Sequence, residues 1–249
     1  MAIHDFNAQR LFLEACLRAG ETVRCSGEQA NYLRNVLRLG AGAEILVFNG
    51  IDGEWRARLM LEGKRDCALE PLEQVRPQEA GPDIHYIFAP LKRARLDYMI
   101  QKATELGVAV LQPVLTRHTV ADRVNLDRMR SNAIEAAEQC GILRIPEIAE
   151  PDKLDRVLSR WDHSRPLIFC DERAPIKNPI AALSTVPPGP VAVLIGPEGG
   201  FAAEEREQLV QQPFFTVQLS LGPRIMRADT AAIAALALVN AVLGDWRGN

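Results

Sequence analysis

The pattern of apolar and polar positions changes once along the chain. At first, apolar residues come in short alternating runs. Leu11-Phe12-Leu13 and Thr22-Val23-Arg24-Cys25 are strand-like, and Glu44-Ile45-Leu46-Val47-Phe48 leads through Asn49-Gly50-Ile51-Asp52-Gly53 into residues 54–61, where Trp55, Ala57, Leu59 and Leu61 share one face. Period-two alternation on both sides of a glycine-bearing loop predicts a hairpin, because Gly50 and Gly53 can take the positive φ that a tight reversal demands. Between these strands, residues 27–39 place Tyr32, Leu33, Val36, Leu37 and Leu39 at near-helical spacing, with Arg34 and Arg38 four apart. A small β-barrel with one helix is expected for residues 1–75.

Arg76-Pro77-Gln78-Glu79-Ala80-Gly81-Pro82 interrupts this pattern and reads as a linker, since proline biases its predecessor away from helix and glycine loosens the chain. Beyond it, apolar strands alternate with amphipathic helices: strand 84–89, helix 95–106 ending at Gly107, strand 108–115, helix 125–139, strands 166–170, 191–195 and 215–219, and a last helix at 230–243. That alternation predicts an α/β domain over residues 76–249, with a mostly parallel sheet covered on both faces. The last helix is apolar nearly all round, which predicts burial, and Asp229 or Thr230 is expected to cap it.

Composition narrows the class. With 249 residues, 47% of them hydrophobic and 24% charged, the chain is globular and long enough to bury a sizeable core. Met1-Ala2-Ile3-His4-Asp5-Phe6 shows no basic segment followed by an apolar run, and the apolar stretch 231–243 is short for a bilayer, so a cytoplasmic protein is expected. Cys16, Cys25, Cys67, Cys140 and Cys170 form no C-x-x-C pair and do not cluster with the histidines, which predicts reduced thiols and no metal. A net charge of -3 excludes a protein coated in positive potential and confines any nucleic-acid contact to local patches. Residues 84–131 hold one candidate patch, eight Lys/Arg against four Asp/Glu, although solvated helix faces have the same composition.

Ligands of open α/β sheets bind beyond the carboxyl ends of strands, which directs attention to two loops. After strand 191–195 the chain reads Gly196-Pro197-Glu198-Gly199-Gly200-Phe201 and enters a helix through Ala202-Ala203-Glu204-Glu205-Arg206. Glycines at such a junction let the backbone approach a ligand and expose amide donors, yet the string is neither a phosphate loop nor a dinucleotide fingerprint. Glu198 can equally serve as a helix-start carboxylate. After strand 215–219 comes Ser220-Leu221-Gly222-Pro223-Arg224-Ile225-Met226-Arg227-Ala228-Asp229-Thr230. Its two arginines suit phosphate or a carboxylate tail, and Ile225 and Met226 suit an adenine.

Together, Leu194-Ile195-Gly196-Pro197-Glu198-Gly199-Gly200 and Leu221-Gly222-Pro223-Arg224-Ile225-Met226-Arg227 resemble the paired cofactor loops of the RsmE family of SPOUT methyltransferases. Gln101-Lys102-Ala103-Thr104-Glu105-Leu106-Gly107-Val108 resembles that family's Q-K-x-x-E-L-G-V helix end. Glu138-Gln139-Cys140-Gly141, Arg144 and Pro146-Glu147-Ile148 resemble a further segment, and Val36-Leu37-Arg38 with Phe48-Asn49-Gly50 its amino-terminal domain.

The resemblance implies a PUA-like RNA-binding barrel followed by a SPOUT domain whose residues 165–249 form a trefoil knot. It further implies a homodimer that methylates N3 of a uridine in 16S ribosomal RNA of the small subunit, with S-adenosylmethionine held by three loops and both protomers contributing to each site. On matching positions the cofactor residues are Ile195, Gly196, Gly199, Gly200, Leu219, Leu221, Gly222, Ile225, Met226 and Arg227, with Asp171 or Glu172 on the third loop. Two departures stand out: Arg227-Ala228-Asp229-Thr230 replaces Arg-Thr-Glu-Thr, and Ile142 stands where an arginine is common, leaving Arg144 as the nearer candidate.

Uridine N3 holds a proton at neutral pH, so the reaction needs in-line placement and removal of that proton. Arg224 and Arg227 are expected to orient the base and stabilise its anion, and Asp229 or Glu138 to take the proton. Arg34, Arg38, Lys92, Arg93, Arg95, Arg117 and Arg123 are the phosphate-contact candidates. Three competing readings differ in what they require. Another SPOUT methyltransferase would act on transfer RNA or a ribose 2′-OH. A non-catalytic ribosome-assembly protein would keep the barrel without needing both glycine loops. A metabolite enzyme would keep the loops and work without RNA.

Overall fold

The computed structural model describes residues 8–120 and 123–247; Met1 to Phe6 and Asp122, used above in reading the sequence, lie outside them. The chain divides into two compact units, one holding residues up to Ala80 together with Ala137–Ile145, the other Gly81–Ala136 and the chain from Pro146 onward.

The first unit is a five-stranded sheet with one short helix. Its elements are β1 (Arg10–Phe12), β2 (Val23–Arg24), α1 (Gly27–Asn31), β3 (Glu44–Phe48), β4 (Glu54–Glu62) and β5 (Asp66–Arg76). The strand order is β1-β3-β4-β5-β2, antiparallel except for β1 with β3. Leu13, Leu33, Val47, Ala57, Leu59 and Leu69 form the core, as the alternation in β4 predicts, whereas Leu61 lies past the core and is partly exposed. The hairpin turn is held by Asn49, whose Oδ1 accepts from the amides of Ile51 at 2.9 Å and Asp52 at 2.7 Å.

Three local features depart from the sequence reading. The helix expected over 27–39 is α only to Asn31, capped by Ser26 and Gln29, and continues as a π-helical turn over Tyr32–Val36 before Arg38 takes φ 55°. Strand β5 gave little signal: Pro71 sits within it, Glu70, Glu73 and Gln74 face outward, and the register shifts twice where it meets β4. Arg76, read as the start of a linker, is instead the last residue of β5.

Arg76 is held there by a buried carboxylate. Glu54, 2% exposed, accepts from Arg10 Nε at 2.8 Å and from Arg76 Nε at 2.7 Å. Arg76 Nη2 also donates to the Gly141 carbonyl at 2.7 Å, and Glu138 Oε1 accepts the Phe12 amide at 2.8 Å. These polar ties explain why Ala137–Ile145 packs with the first unit.

The second unit carries β6 (Ile84–Phe88), α2 (Arg93–Glu105), β7 (Val110–Leu115), α3 (Leu126–Cys140, whose last turn belongs to the first unit), β8 (Glu147–Ile148), β9 (Asp152–Lys153) and α4 (Leu154–Ser159). Then follow β10 (Leu167–Cys170), α5 (Pro179–Leu183), β11 (Val191–Ile195), α6 (Ala203–Val210), β12 (Thr216–Leu219) and α7 (Ala228–Val242). The sheet is parallel throughout, in the order β12-β10-β11-β6-β7-β8, with β9 also paired to β7. Ile87, Leu167, Phe169, Ala192 and Leu194 pack with Leu154 and Leu158 of α4 and Leu209 of α6. On the other face Tyr86 donates to Met99 Sδ of α2 at 3.0 Å, and α7 packs against α2 and β11.

Helix α7 begins two residues earlier than expected. Arg227 occupies the N-cap without a side-chain bond, so Asp229 and Thr230 fall inside the first turn rather than capping it; Asp229 Oδ1 accepts the Thr230 amide at 2.9 Å. Only one stripe of the helix is fully buried, Ala228, Ala232, Ala235, Leu236, Val239 and Asn240. Within it Asn240 Nδ2 donates to the Leu106 carbonyl at the end of α2 at 2.8 Å, pinning the two helices at one level.

Two stability predictions follow from the buried polar contacts. Glu54→Gln leaves two guanidinium groups facing a neutral amide, and urea denaturation should show a loss of about 3 kcal/mol, in the range for breaking a buried ion pair. Asn240→Ala strips the Leu106 carbonyl of its partner and should cost about 1–3 kcal/mol, read as a lowered Tm with no change in the first unit's hairpin signals.

Candidate cofactor and RNA site

Strand order builds the site. Because β10 lies between β11 and β12 in parallel register, with Leu167 opposite both Ala192 and Thr216, Ile195, Cys170 and Leu219 end at the same edge of the sheet. The loops that follow these strands therefore emerge side by side. Spacing along the chain could not show this, since β12 pairs with β10 and not with β11, its predecessor in sequence.

The glycine-rich loop leaves β11 as a turn closed by Gly200 N donating to the Pro197 carbonyl at 2.9 Å. Phe201 folds back beneath it, edge-on to Phe169 at 5.5 Å, and fills the space where a side chain at Gly196 would stand. Gly200 and Gly222 have φ of 70° and 98°, a region that favours glycine, and open space lies beside both. The loop and the start of α6 that follows it are tied to their surroundings at three points. Arg95 Nη1 of α2 meets Glu198 Oε1 at 3.2 Å; the Arg117 amide donates to Glu205 Oε1 at 2.8 Å; and His118 Nδ1 lies 3.0 Å from the Gly200 carbonyl. Glu198 thus lies in the turn, outside α6, and pairs with a side chain; the acids in the first turn of α6 are Glu204 and Glu205, the latter also accepting the Ala202 amide at 2.9 Å.

On the loop after β10 the structure distinguishes the two acids. Asp171 is buried and clamps Arg206 of α6, with Nη2 at 2.8 Å and Nε at 3.0 Å, while Glu172 is exposed. Burial, followed by the neighbouring Asp171 charge, pushes the Cys170 thiol up to about 12, so it is a neutral, unreactive group. The Tyr86 phenol is likewise raised, first by burial and then by the Cys170 and Asp229 charges.

In the third loop Leu219 and Ser220 are buried, Leu221 and Met226 half-buried, and Gly222, Arg224, Ile225 and Arg227 exposed, Ile225 to 95%. Neither Arg224 nor Arg227 forms an ion pair among the described residues. Ile195, at 3%, and Leu219, at 0%, turn their side chains into the core, leaving only their backbone for a ligand.

Other candidates have different placements. Glu138 packs in the first unit with its carboxylate on the Phe12 amide, and Arg144 there donates to the Ala80 carbonyl, so neither shares the unit of the three loops. Arg34 donates to the carbonyls of Asp66 at 2.7 Å and Gly63 at 3.3 Å, bracing the β4–β5 turn. Arg117 also pairs with Glu204 at 3.2 Å. Arg38 and Arg123 are exposed, and Lys92, Arg93 and Arg95 surround the start of α2, where no acid sits in the first turn. Sequence reasoning passed over His118 and Arg206; the Thr116-Arg117-His118-Thr119 string after β7 held the signal, a pair of threonines that close a tight turn.

The RNA methyltransferase domain family matches residues 78–240, and the RNA methyltransferase PUA domain family matches residues 26–72. Ribosomal RNA small subunit methyltransferase E of Rickettsia conorii is 30% identical over 232 residues, covering 92% of this chain and 94% of its own. Its namesake from Synechocystis is 32% identical over 228 residues, 89% of this chain and 74% of its own. Among solved structures, ribosomal RNA small subunit methyltransferase E from Neisseria gonorrhoeae, bound to S-adenosyl methionine, matches with a TM-score of 0.86 at 27% identity, covering 96% of this chain and all of that one. A methyltransferase from Legionella pneumophila in complex with the same cofactor gives 0.82 at 28% identity, over 96% of this chain and 99% of that one. A PUA-like domain followed by a SPOUT-type α/β domain, with matches that run nearly the whole length of the chain, makes this protein a member of the ribosomal RNA small subunit methyltransferase E family.

Proposed function

We propose that the chain transfers a methyl group from S-adenosylmethionine to N3 of one uridine of 16S ribosomal RNA in the small subunit, in the cytoplasm. The observation that carries this reading is the convergence of three loops at adjacent strand ends, two of them open at Gly200 and Gly222. Such edges fit the cofactor because backbone amides can meet its polar groups and Ile225 and Met226 offer it an apolar wall. When bound, the cofactor supplies the electrophilic methyl group. The protein's part is to orient and deprotonate the base. Arg224 and Arg227, exposed and without internal ion pairs, face the uridine and its developing anion. Asp229, half-buried in the first turn of α7, takes the N3 proton.

Phosphate binding is assigned first to Lys92, Arg93, Arg38 and Arg123. Cations around a helix amino terminus oppose the macrodipole, where an anion would instead gain about 0.3–1 kcal/mol. Their placement at α2 is compensated when a polyanion lies against them. Arg34, Arg95 and Arg117, already bonded within the protein, contribute less. A homodimer and a carboxyl-terminal knot belong to the same reading. Ile233, Ala237 and Leu238 leave the second side of α7 half-covered, and Trp246 beyond it is 56% exposed. No helix among the described residues is long and apolar enough to cross a membrane.

Small subunits lacking the modification, incubated with labelled S-adenosylmethionine, should acquire 3-methyluridine at one position, identified by nucleoside mass spectrometry. Methyl transfer only to transfer RNA, or to ribose, would replace the substrate; absence of cofactor binding would replace the enzyme by a binding protein. Arg227→Ala should lower kcat by at least about tenfold, equivalent to about 1.4 kcal/mol of transition-state stabilisation, with an unchanged melting curve. Lys92→Ala and Arg93→Ala should each reduce the slope of log K for RNA against log salt by about 1.

A further inference from the structure

The turn after β7 is built to point two side chains at the glycine-rich loop. Thr119 N donates to the Thr116 carbonyl at 3.1 Å, Thr116 N donates to Thr119 Oγ1 at 2.8 Å, and the two hydroxyls lie 3.0 Å apart. Arg117 and His118 stand at its tip. Arg117 N on Glu205 fixes the turn to the start of α6. His118 lies against Gly199, whose added Cβ would come within 3.3 Å of the His118 Cβ, and its Nδ1 reaches the Gly200 carbonyl at 3.0 Å. A carbonyl only accepts, so Nδ1 must carry the proton in this contact.

That bond has leverage out of proportion to its strength. The carbonyl of Gly200 and the amide of Phe201 share one rigid trans peptide plane and point in opposite directions. Fixing the carbonyl therefore fixes the Phe201 N–H and the approach of the ring that underlies Gly196. The other side-chain tie of the turn, Arg95 with Glu198, joins two side chains each 41% exposed and is a weak restraint; the His118 contact is exposed as well, but it acts on the backbone of the turn and not on a side chain. Gly200 itself sits at φ 70° with nothing near its Cβ position; its amide is held by the Pro197 carbonyl at 2.9 Å, which closes the turn, and its carbonyl is held from outside the turn by His118.

We propose that His118 is a positioning residue: its Nδ1–H holds the Gly200 carbonyl and sets the glycine-rich loop in the form that receives S-adenosylmethionine. The inference rests on the reading of that loop as the cofactor site.

Calorimetric titration of full-length protein with S-adenosylmethionine, paired with steady-state kinetics, tests it. His118→Ala should raise the Kd and the cofactor KM about fivefold, equivalent to about 1 kcal/mol for one lost hydrogen bond. The KM for RNA, the kcat at saturation and the melting temperature should not move. His118→Asn, whose Nδ2 can occupy the place of Nδ1, should restore most of the affinity, and His118→Phe should not. An unchanged Kd in the alanine variant overturns the proposal, as does rescue by phenylalanine, which would assign the effect to packing. If the wild-type chain fails to bind the cofactor at all, the reading of the loop falls and this proposal with it.

Discussion

The placement of β10 between β11 and β12 is the constraint on which the site depends. All three strands run parallel; β11 is buried throughout, β10 is at 0% exposure at Leu167, Ile168 and Phe169, and the edge strand β12 buries Val217 and Leu219. Burial specifies the register strongly, because a slip of one residue would take Leu167, Phe169, Ala192 and Leu194 out of the core they share with α4 and α6. Their carboxyl ends are fixed in consequence. The loops beyond contribute little to the core and are free to carry glycines, arginines and an almost wholly exposed isoleucine.

Charge is used differently in the two units. Around Glu54 two arginines are spent inside the first unit, and Glu138 and Arg76 tie a distant segment, Ala137–Ile145, to the same body. These groups are desolvated and mutually satisfied, so they specify packing. Arg224 and Arg227 are the opposite case, exposed cations with no anion partner among the described residues. Lys92 and Arg93 at the start of α2 are similar in kind: both are exposed, at a helix amino terminus that has no side-chain cap, an arrangement that favours an external anion.

The glycine-rich loop needs backbone freedom to adopt its shape, and that same freedom would leave it poorly ordered. The structure answers with contacts from outside the loop: Phe201 from below, Arg95 and His118 from neighbouring elements, and Asp171 through Arg206 at the helix that follows. Preorganisation of this kind reduces the ordering entropy that binding would otherwise have to supply.

Much of the fold was legible in the sequence. Alternation in β4 and the Asn49–Gly53 loop specified the hairpin, strand-helix alternation specified the parallel sheet, and the two glycine-bearing strings marked two of the loops, because each signal is local and set by backbone sterics and side-chain period. Strand β5 escaped, its proline and outward-facing acids masking a half-buried strand, and the cap of α7 was misplaced because Arg227 takes the N-cap position without a side-chain capping bond, so no capping residue type signals it. Only the tertiary structure could separate Asp171 from Glu172, withdraw Glu138, Arg34 and Arg117 into internal contacts, and bring His118 to Gly200 from a turn 82 residues away. Those outcomes depend on strand order and on which polar groups find partners, and such long-range pairings leave no mark in the spacing of the residues that make them.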